Sequence, residues 1–321
     1  MLLGFHTKQL TERGGDQAPF EFALASRSLL GVDVRFYVPA DAGWIVPAVQ
    51  RRFEEHFDVV YYRSTREIRC DALYVHKRGY PGQVAPGVPQ LNHAWDTARH
   101  RHGHRFAVTA DWVARTARHA LRLPGRTLSV PRLRRPPVVP DIVSLPDVDG
   151  DLRAELGIPE DAVVFGRHGG LGTFDIGFVM DAVRVVVRER PELWFVLINV
   201  EPFDDHPRIV HVPPIVDRGE VRRFVNTADY MLHARSYGEG FGLAVAEFAM
   251  VGAPVLTYLG SPCLAQLELL HPGNLLGYRT SDDVLALLRT LPRRTEPVPS
   301  DIRERFSPET VMPQFERVFL R

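Results

Sequence analysis

The sequence predicts an α/β protein made of two Rossmann-like domains, on three observations. Its 321 residues exceed the roughly 250–300 at which a single hydrophobic core stops growing. Apolar segments of strand length alternate with segments of helical period, which is typical of βαβ units around a parallel sheet. A proline-rich stretch, residues 123–149, lacks a helical period. We place the domain linker within it, near residues 138–145, so that the domains cover residues 1–140 and 141–304.

Composition narrows the class of partner and the compartment. The 39 Lys and Arg residues balance 39 Asp and Glu residues. A nucleic-acid-binding protein needs a basic surplus, so we expect no nucleic-acid partner. No apolar run approaches the ~18–20 residues that span a bilayer, and the first residues carry no signal-cleavage pattern. Two cysteines, Cys70 and Cys263, form no disulfide framework. These features predict a cytoplasmic protein without a transmembrane segment.

The first half begins with a βαβ pattern. Residues 2–6 predict a strand, residues 11–17 a polar glycine-rich turn, and residues 19–31 a helix that Gly31 ends in the left-handed conformation. The next strand is predicted at residues 32–39. Three further strands are predicted at residues 58–62, 72–76 and 106–110, and the helical period between them is weak.

The second half repeats the pattern more clearly. An apolar stripe from Ile176 to Val187 predicts one helix. Asp217, with Glu220 three residues later, resembles a capping box for a helix over residues 217–227. Another helix is predicted at residues 241–252, and an amphipathic helix near the C-terminus at residues 308–321. The strands are predicted at residues 162–166, 193–200, 208–212, 229–234 and 254–258.

The strongest candidate site is the segment HARSYGEGFGLAVAEF, residues 233–248. A strand ends there, a polar loop follows, and a helix begins near Gly240. The first backbone N–H groups of a helix have no internal partners and lie at the positive end of its dipole, so they bind phosphate well. Gly238, Gly240 and Gly242 allow a ligand close to the backbone. The alternative is an ordinary βα turn.

Glu247 lies among apolar residues of that predicted helix. A carboxylate buried without a partner costs several kcal/mol, so Glu247 needs hydrogen-bond donors. The two hydroxyls of a ribose are one source, and a basic side chain in a salt bridge is the alternative. Glu239, eight residues earlier, places a second carboxylate just ahead of the helix.

These residues carry a resemblance to a known family. EGFGLAVAE (239–247) resembles the Glu–x7–Glu motif of retaining GT-B glycosyltransferases, specifically glycosyltransferase family 4. EFAMVGAPVLTY (247–258) resembles the usual continuation of that motif. The segment of residues 165–200, with its "GR" pair, resembles the opening of the family's C-terminal domain. RGGDQAPFEFALASRSLLG (13–31) resembles the family's N-terminal loop and helix more loosely.

The resemblance implies the GT-B fold, two facing Rossmann-like domains with a ligand cleft between them and a C-terminal helix, residues 305–321, packed back on the first. It also implies roles in the second, donor-binding domain. Arg167 would contact the donor diphosphate, Glu247 the ribose hydroxyls and Glu239 the transferred sugar. The backbone of Gly240, Phe241 and Gly242 would face sugar and phosphate.

One position departs from the family pattern. The family usually places a phosphate-binding Lys about six residues after the GR arginine, and Thr173 stands there in this chain. Either Arg235 provides the second positive charge or diphosphate binding is weaker. Arg suits that role because its planar fork binds phosphate through two hydrogen bonds. The alternative for Arg235 is a cation of a surface loop.

The first, acceptor-side domain offers further candidates. The family carries a His in a cleft-lining loop near the donor sugar, and NHAWD puts His93 in that role, with a structural histidine as the alternative; Asp96 is a lesser cleft candidate. Lys77 follows a predicted strand, where parallel sheets bind ligands, and could line the acceptor side or a solvated loop. The first βα loop of the family faces the cleft, which assigns Arg13, Gly14 and Gly15 to it.

Neither a metal nor another cofactor is expected. His100, His102 and His104 alternate, but a glycine-containing loop lacks a fixed metal geometry, and no cluster of Cys or carboxylates accompanies them. The predicted function is transfer of a sugar, with retention, from a nucleotide diphosphate-sugar donor to an acceptor hydroxyl of a glycan, lipid, protein or small molecule. The alternatives are a nucleotide-sugar epimerase of the same fold and a catalytically inactive nucleotide-sugar-binding protein.

Overall fold

The computed structural model describes residues 1–123, 126–131 and 134–321, and only the backbone of residues 118–123 and 126–131. The chain divides into two compact units. Unit 1 comprises Met1–Ile142 and Glu304–Arg321, and unit 2 comprises Val143–Arg303. Within the described ranges, no helix combines the length and the apolar character that crossing a bilayer requires.

Unit 1 contains a six-stranded parallel sheet. Its strand order is β3-β2-β1-β4-β5-β6, so the chain builds outward from β1 in one direction and then in the other. A separate antiparallel pair, β7 and β8, follows the sheet. The elements are β1 (Leu2–His6), α1 (Gly14–Leu30), β2 (Asp33–Pro39), α2 (Pro47–His56), β3 (Asp58–Tyr62), β4 (Ala72–Lys77), β5 (Gln90–Ala94), β6 (Arg105–Val108), α3 (Asp111–Arg115), β7 (Arg118–Leu123) and β8 (Arg126–Pro131).

Unit 2 contains a second six-stranded parallel sheet, in the order β11-β10-β9-β12-β14-β16. Its order relative to the chain is the same as in unit 1, which is the doubly wound arrangement of Rossmann-like folds. The elements are β9 (Val163–Arg167), α4 (Gly177–Glu189), β10 (Leu193–Ile198), β11 (Ile209–Val212), α5 (Arg218–Thr227), β12 (Tyr230–His233), β13 (Gly238–Glu239), α6 (Leu243–Met250), β14 (Val255–Tyr258), β15 (Cys263–Leu264), β16 (Leu275–Tyr278) and α7 (Ser281–Thr290).

The last elements are α8 (Ile302–Arg305) and α9 (Pro308–Phe315), which continues as a π-helical turn over Glu316–Leu320. Helix α9 packs on α1 within unit 1. The rings of Phe22 and Phe315 stack with their centroids 5.1 Å apart. The amphipathic helix predicted at the C-terminus therefore forms and covers an aromatic face of unit 1.

The core of unit 2 follows the predicted helical stripe. Val179, Val183 and Val186 of α4 are fully buried. On the sheet, Phe165 stacks on Phe195 and on Tyr230, with ring centroids 5.3 Å apart in each pair. Because the inner strands β9, β10, β12 and β14 are largely buried on both faces, they form nearly continuous apolar runs, which is why the sequence predicts them well.

Unit 1 differs from the prediction in several places, among them α3 and the β7–β8 pair, which the sequence does not predict. Helix α1 begins at Gly14, within the predicted turn, because the Asp16 carboxylate accepts hydrogen bonds from Thr7 and Thr11 (2.6 Å each) and so ties the loop to the first helical turn. Helix α2 forms where the helical period is weak. Strand β5 includes His93, for which the sequence predicts a loop.

Candidate functional site

The carboxyl ends of β9 and β12 meet at the centre of the unit 2 sheet. The two strands are neighbours, and the chain leaves them toward opposite sides of the sheet. Ligands of open α/β sheets bind at this topological switch point. Strand β9 ends at Arg167 and β12 ends at His233, so two of the residues around the site are placed there by the topology itself.

Arg167 is buried, and its guanidinium is fixed by backbone oxygens. Nη1 donates to the carbonyl oxygens of Ile198 (2.8 Å) and Asn199 (3.1 Å). Nη2 donates to the carbonyl oxygen of Gly170 (3.1 Å) and to Oγ1 of Thr173 (2.6 Å). Burial lowers the pKa of Arg167 to about 10, so it remains charged at neutral pH. Arg167 thus contributes a rigidly held positive charge.

Glu239, in β13, lies between the side chains of His233, which ends β12, and Arg235. Nη1 of Arg235 donates to Oε2 of Glu239 at 2.6 Å. Nε2 of His233 lies 3.2 Å from Oε1 of Glu239, and Nδ1 of His233 lies 2.9 Å from Oγ1 of Thr257. Because the ionised carboxylate only accepts, Nε2 carries the proton of this contact. These contacts fix the Glu239 carboxylate next to the Arg235 guanidinium.

The charge state of Glu239 follows from these contacts. Burial alone would raise its pKa, but the His233 hydrogen bond and the Arg235 charge lower the pKa to about 2. A fifth of its side chain stays exposed. Glu239 is therefore an ionised, partly accessible hydrogen-bond acceptor.

The glycine loop has a conformation that requires glycine at two positions. Gly238 has a φ of 78°, and a Cβ there would lie 1.7 Å from the carbonyl oxygen of Cys263. Gly242 has a φ of 103° and begins helix α6 without a side-chain capping hydrogen bond. Gly240 and the buried Phe241 lie between them. The positive end of α6 consequently begins beside Glu239, and the backbone of Gly240, Phe241 and Gly242 that leads into it is buried.

Glu247 forms salt bridges, the role that the sequence offers as the alternative to ribose binding. Only 3% of its side chain is exposed. Oε2 lies 2.7 Å from Nε2 of His168, and Oε1 accepts a hydrogen bond of 2.5 Å from Nη2 of Arg218. Burial would raise its pKa, but the charges of Arg218 and His168 lower the pKa to about 2. The ribose role of Glu247 stays a prediction.

His93, in unit 1, is fully buried. Its Nε2 lies 2.7 Å from the carbonyl oxygen of Val139, which only accepts, so Nε2 is protonated. Nδ1 then accepts from the Tyr74 hydroxyl at 2.6 Å. Burial, with the nearby His76, lowers the pKa of His93 to about 4. Both nitrogens have structural partners, which matches the alternative reading of His93, and its catalytic role stays a prediction.

The other unit 1 candidates lie at the carboxyl side of the same sheet. Asp96 is buried and pairs with Arg78, whose Nη2 is 2.9 Å away. The Arg13 guanidinium lies 4.3 Å from the centre of the Trp44 ring. Gly14 and Gly15 belong to the first turn of α1 and not to a loop. Lys77 ends β4 and donates to the carbonyl oxygen of Gly82 at 3.2 Å.

One cluster of possible metal ligands occurs among the described residues. Ligand atoms of His76, His93 and Asp141 all lie within 4.8 Å of one another. Nε2 of His76 is 3.3 Å from Oδ1 of Asp141. His93 already uses both ring nitrogens in hydrogen bonds, so the cluster as it stands offers two ligand atoms from His76 and Asp141. The expectation of no metal stays a prediction.

Sequence reasoning missed three side chains around the site. His168 directly follows Arg167, and Arg218 directly follows the helix cap Asp217, so both positions were adjacent to recognised signals. His233 was identified only as the end of a strand. Each became relevant through its contact with Glu239 or Glu247, which lies 6 to 79 positions away along the chain.

No protein-family model matches the chain, and no curated protein matches it in sequence. Solved structures do match. HepE from Anabaena, in complex with UDP and glucose, is similar with a TM-score of 0.70 at 13% identity, over 99% of this chain and 98% of that chain. Sucrose-phosphate synthase from Thermosynechococcus elongatus is similar with a TM-score of 0.60 at 13% identity, over 99% and 98%.

WaaG, a glycosyltransferase involved in lipopolysaccharide biosynthesis, is similar with a TM-score of 0.58 at 13% identity, over 89% of each chain. The chain has the GT-B fold. The predicted fold class is thereby confirmed. At 13% identity the likeness establishes the fold alone, so membership of glycosyltransferase family 4 and the assignment of the Glu–x7–Glu motif stay predictions.

Proposed function

We propose that this protein is a retaining glycosyltransferase that moves a sugar from a nucleotide diphosphate-sugar to an acceptor hydroxyl. One observation carries the proposal. At the switch point of unit 2, a helix without a side-chain cap begins next to a fixed arginine pair, Arg167 and Arg235, and an ionised Glu239. Such a site suits a ligand that has both a diphosphate and hydroxyl groups.

The positive groups would act on the leaving group. When the bond between the anomeric carbon and the diphosphate oxygen breaks, negative charge grows on the diphosphate. The N-terminus of α6 and the charge of Arg167 are already in place and need no reorganisation to stabilise that charge. The acceptor oxygen forms the new bond to the anomeric carbon, and its proton passes to the departing diphosphate.

Glu239 would bind the sugar hydroxyls. Its carboxylate stays ionised because Arg235 and His233 contact it, and a fifth of the side chain is exposed to accept hydrogen bonds. Arg235 has a second role in this proposal, as the cation that replaces the Lys expected at Thr173. A single side chain would then orient the sugar-binding carboxylate and attract the diphosphate.

The remaining lone pairs of the Glu247 carboxylate would accept hydrogen bonds from the ribose hydroxyls. His168 and Arg218 already fix both carboxylate oxygens, and each has less than a fifth of its side chain exposed. This arrangement presents the carboxylate in one orientation, which reduces the entropy lost on binding. The ribose role requires that the two basic side chains share Glu247 with the ligand.

The similar structures support the choice of donor. HepE was solved with UDP and glucose and WaaG is a glycosyltransferase, so UDP is the first nucleotide to test here. We further propose that the reaction needs no metal and that the protein acts in the cytoplasm, as its cysteine content predicts. The acceptor stays open between a glycan, a lipid, a protein and a small molecule.

The test is calorimetric titration of UDP, GDP, TDP and ADP into the protein. We expect one nucleotide to bind, and Arg235→Gln to weaken it by roughly 1.5–3 kcal/mol, the range for a charged hydrogen bond. Arg188→Gln is the matched control, because this exposed arginine lies at the far end of α4 and pairs with Asp204. Absence of binding to all four nucleotides, or equal losses in both variants, would overturn the proposal.

A donor panel separates the three functions. A glycosyltransferase slowly hydrolyses its donor to free sugar and nucleoside diphosphate when no acceptor is present, and with an acceptor it releases the nucleotide faster while the sugar passes to the acceptor. An epimerase converts the donor into an isomeric nucleotide-sugar without releasing nucleotide. An inactive binding protein binds the donor and releases neither free sugar nor nucleotide. Isomer formation, or binding without any sugar release, would reject the transferase.

A further inference from the structure

Lysine is rare in this chain. Only two of its 39 Lys and Arg residues are lysines, Lys8 and Lys77, and the remainder are arginines. Arg is the residue of choice for paired or buried cations, while Lys acts as a compact point charge. The positions of the two lysines are therefore informative, because nearly every other cation of the chain is arginine.

Both lysines lie at the switch point of the unit 1 sheet. Strands β1 and β4 are neighbours at the centre of the order, with His6 at the end of β1 in register with Val75 of β4. Lys77 is the last residue of β4, and Lys8 comes two residues after the end of β1. Carboxyl ends on either side of a switch point form the ligand crevice of such sheets.

The Lys77 ammonium is partly buried and held by neutral groups. It donates to the carbonyl oxygen of Gly82 (3.2 Å) and lies 3.0 Å from Nε2 of His102. Nδ1 of His102 is 2.6 Å from the carbonyl oxygen of His100 and must be its donor, which leaves Nε2 as the acceptor for Lys77. These contacts orient the ammonium and leave its charge uncompensated.

The charges that lower the pKa values of Lys77 and His6 are positive. Burial and the charge of Lys8 lower the pKa of Lys77. Burial, followed by the charges of Lys8 and Lys77, lowers the pKa of His6 to about 4. The Asp16 carboxylate accepts hydrogen bonds from the hydroxyls of Thr7 and Thr11, which flank Lys8 in the sequence. Both lysines therefore lie at the carboxyl ends of the two central strands, and the charged group that acts on Lys77 is cationic.

We propose that Lys8 and Lys77 bind a phosphate group carried by the sugar acceptor. This inference rests on the proposed function, because it assigns a substrate class to unit 1 of a glycosyltransferase. Two ammonium charges match a phosphate monoester, which carries nearly two negative charges, better than they match a carboxylate with one. Lys binds phosphate as a point charge, without the bidentate geometry that Arg imposes.

The scarcity of lysine makes the test direct. Protein grown with lysine labelled by carbon-13 at Cε gives two side-chain NMR signals, and Lys8→Gln and Lys77→Gln each remove one and so assign them. The probes are inorganic phosphate, glycerol 3-phosphate, acetate and glucose. We expect both signals to shift with the two phosphates, less with acetate, and not with glucose.

Variants then measure the contribution of each charge. Lys77→Gln should weaken glycerol 3-phosphate binding about tenfold, which corresponds to about 1.4 kcal/mol, and Lys77→Arg should retain part of it. Arg51→Gln removes one exposed charge from helix α2 of the same unit and should leave phosphate binding unchanged. Equal losses in Lys77→Gln and Arg51→Gln would indicate a general charge effect and overturn the proposal.

The remaining outcomes keep this inference separate from the proposed function. UDP should bind Lys77→Gln as it binds the wild type, and phosphate should still shift the lysine signals in UDP-saturated protein. If UDP displaces phosphate, the lysines serve the donor and the acceptor inference fails. If inorganic phosphate binds but its ester does not, the crevice holds only an ion and the inference fails. Binding of UDP with no phosphate effect on either lysine would leave the transferase proposal intact and reject the acceptor class.

Discussion

Oγ1 of Thr173 lies 2.6 Å from Nη2 of Arg167 and accepts its hydrogen bond. The same hydroxyl donates to the carbonyl oxygen of Gly170 at 2.6 Å. The position at which the resembling family usually has a Lys is thus occupied by a residue that holds Arg167 in place. Instead of a second cation, this position carries a hydroxyl that holds the Arg167 guanidinium.

This contact leads to a prediction for Thr173. Thr173→Val keeps the shape but removes the hydroxyl, so Arg167 loses one of four hydrogen bonds and the affinity for UDP should fall by about 1 kcal/mol. Thr173→Ser retains the hydroxyl and is the matched control. Calorimetric titration measures both. Equal affinity of the Val and Ser variants would show that the hydroxyl has no part in nucleotide binding.

Arg167→Ala tests the cation itself. Loss of its charge should weaken UDP binding by roughly 1.5–3 kcal/mol. It should also lower the free energy of unfolding, because the backbone oxygens of Ile198 and Asn199 lose their donor. Affinity is measured at a temperature where the variant is folded by circular dichroism. Wild-type affinity in folded Arg167→Ala would remove Arg167 from the donor site.

Glu247 and Arg218 are expected to depend on each other. Glu247→Leu leaves the Arg218 guanidinium with the Ser144 carbonyl but without its carboxylate, and the unfolding free energy should fall by about 3 kcal/mol. The double variant Glu247→Leu, Arg218→Met should recover most of that loss. Urea melts of the two single variants and the double variant measure the coupling. Additive losses would contradict a stabilising pair, and wild-type UDP affinity in folded Glu247→Leu would reject the ribose role.

His93 predicts a pH dependence of stability. Its pKa falls from the usual 6.5 to about 4 on folding, so the unfolded chain binds the proton more readily. The stabilisation is complete above pH ~6.5 and is lost as the pH falls toward about 4, which corresponds to about 2 kcal/mol between pH ~7 and ~5. His93→Gln should flatten the pH dependence of the urea midpoint by that amount. An unchanged slope would show that His93 takes up no proton on unfolding.

The proposed reaction is expected to continue without metal. Release of glucose from UDP-glucose should be the same before and after excess EDTA. Loss of activity that returns with manganese or magnesium would contradict the prediction. His76→Ala then serves as a probe, because His76 belongs to the cluster of possible ligands in unit 1. If metal restores the wild type and not this variant, the cluster is the metal site.

The sequence predicted the inner strands of unit 2 closely, because parallel strands buried on both faces are continuous apolar runs, as Leu193–Ile198 shows, and it missed the edge strand β16. It predicted unit 1 less well. Helix α2, with only Val49 and Phe53 buried, has too narrow an apolar stripe to stand out. Strand β5 contains Asn92 and His93, whose burial depends on hydrogen bonds to distant residues. Such partners have no signature in the local pattern.

The candidate site divides in the same way. Glycines, helix starts and strand ends are local features, so the start of α6 at Gly242 and the end of β9 at Arg167 were predicted to within a few residues. Glu247 of α6 pairs with Arg218 of α5, which lies 29 positions earlier in the chain. Sequence reasoning could state that Glu247 needs a basic partner or a ligand, because burial of a lone carboxylate is unfavourable. Which cation lies beside the Glu247 carboxylate depends on how α5 packs against the sheet.

The stacking of Phe22 on Phe315 joins the first helix of unit 1 to one near the end of the chain. As the chain leaves the ribosome, residues 1–142 emerge first but lack residues 304–321, which complete their unit only after all of unit 2 has been made. Domains generally fold in the order of their synthesis, but unit 1 cannot be completed until unit 2 has been synthesised. Until then, the aromatic face of Phe22 and Tyr74 is open to water and to other nascent chains. The co-translational hazard of this protein therefore lies in its first unit, and the second is free to fold ahead of it.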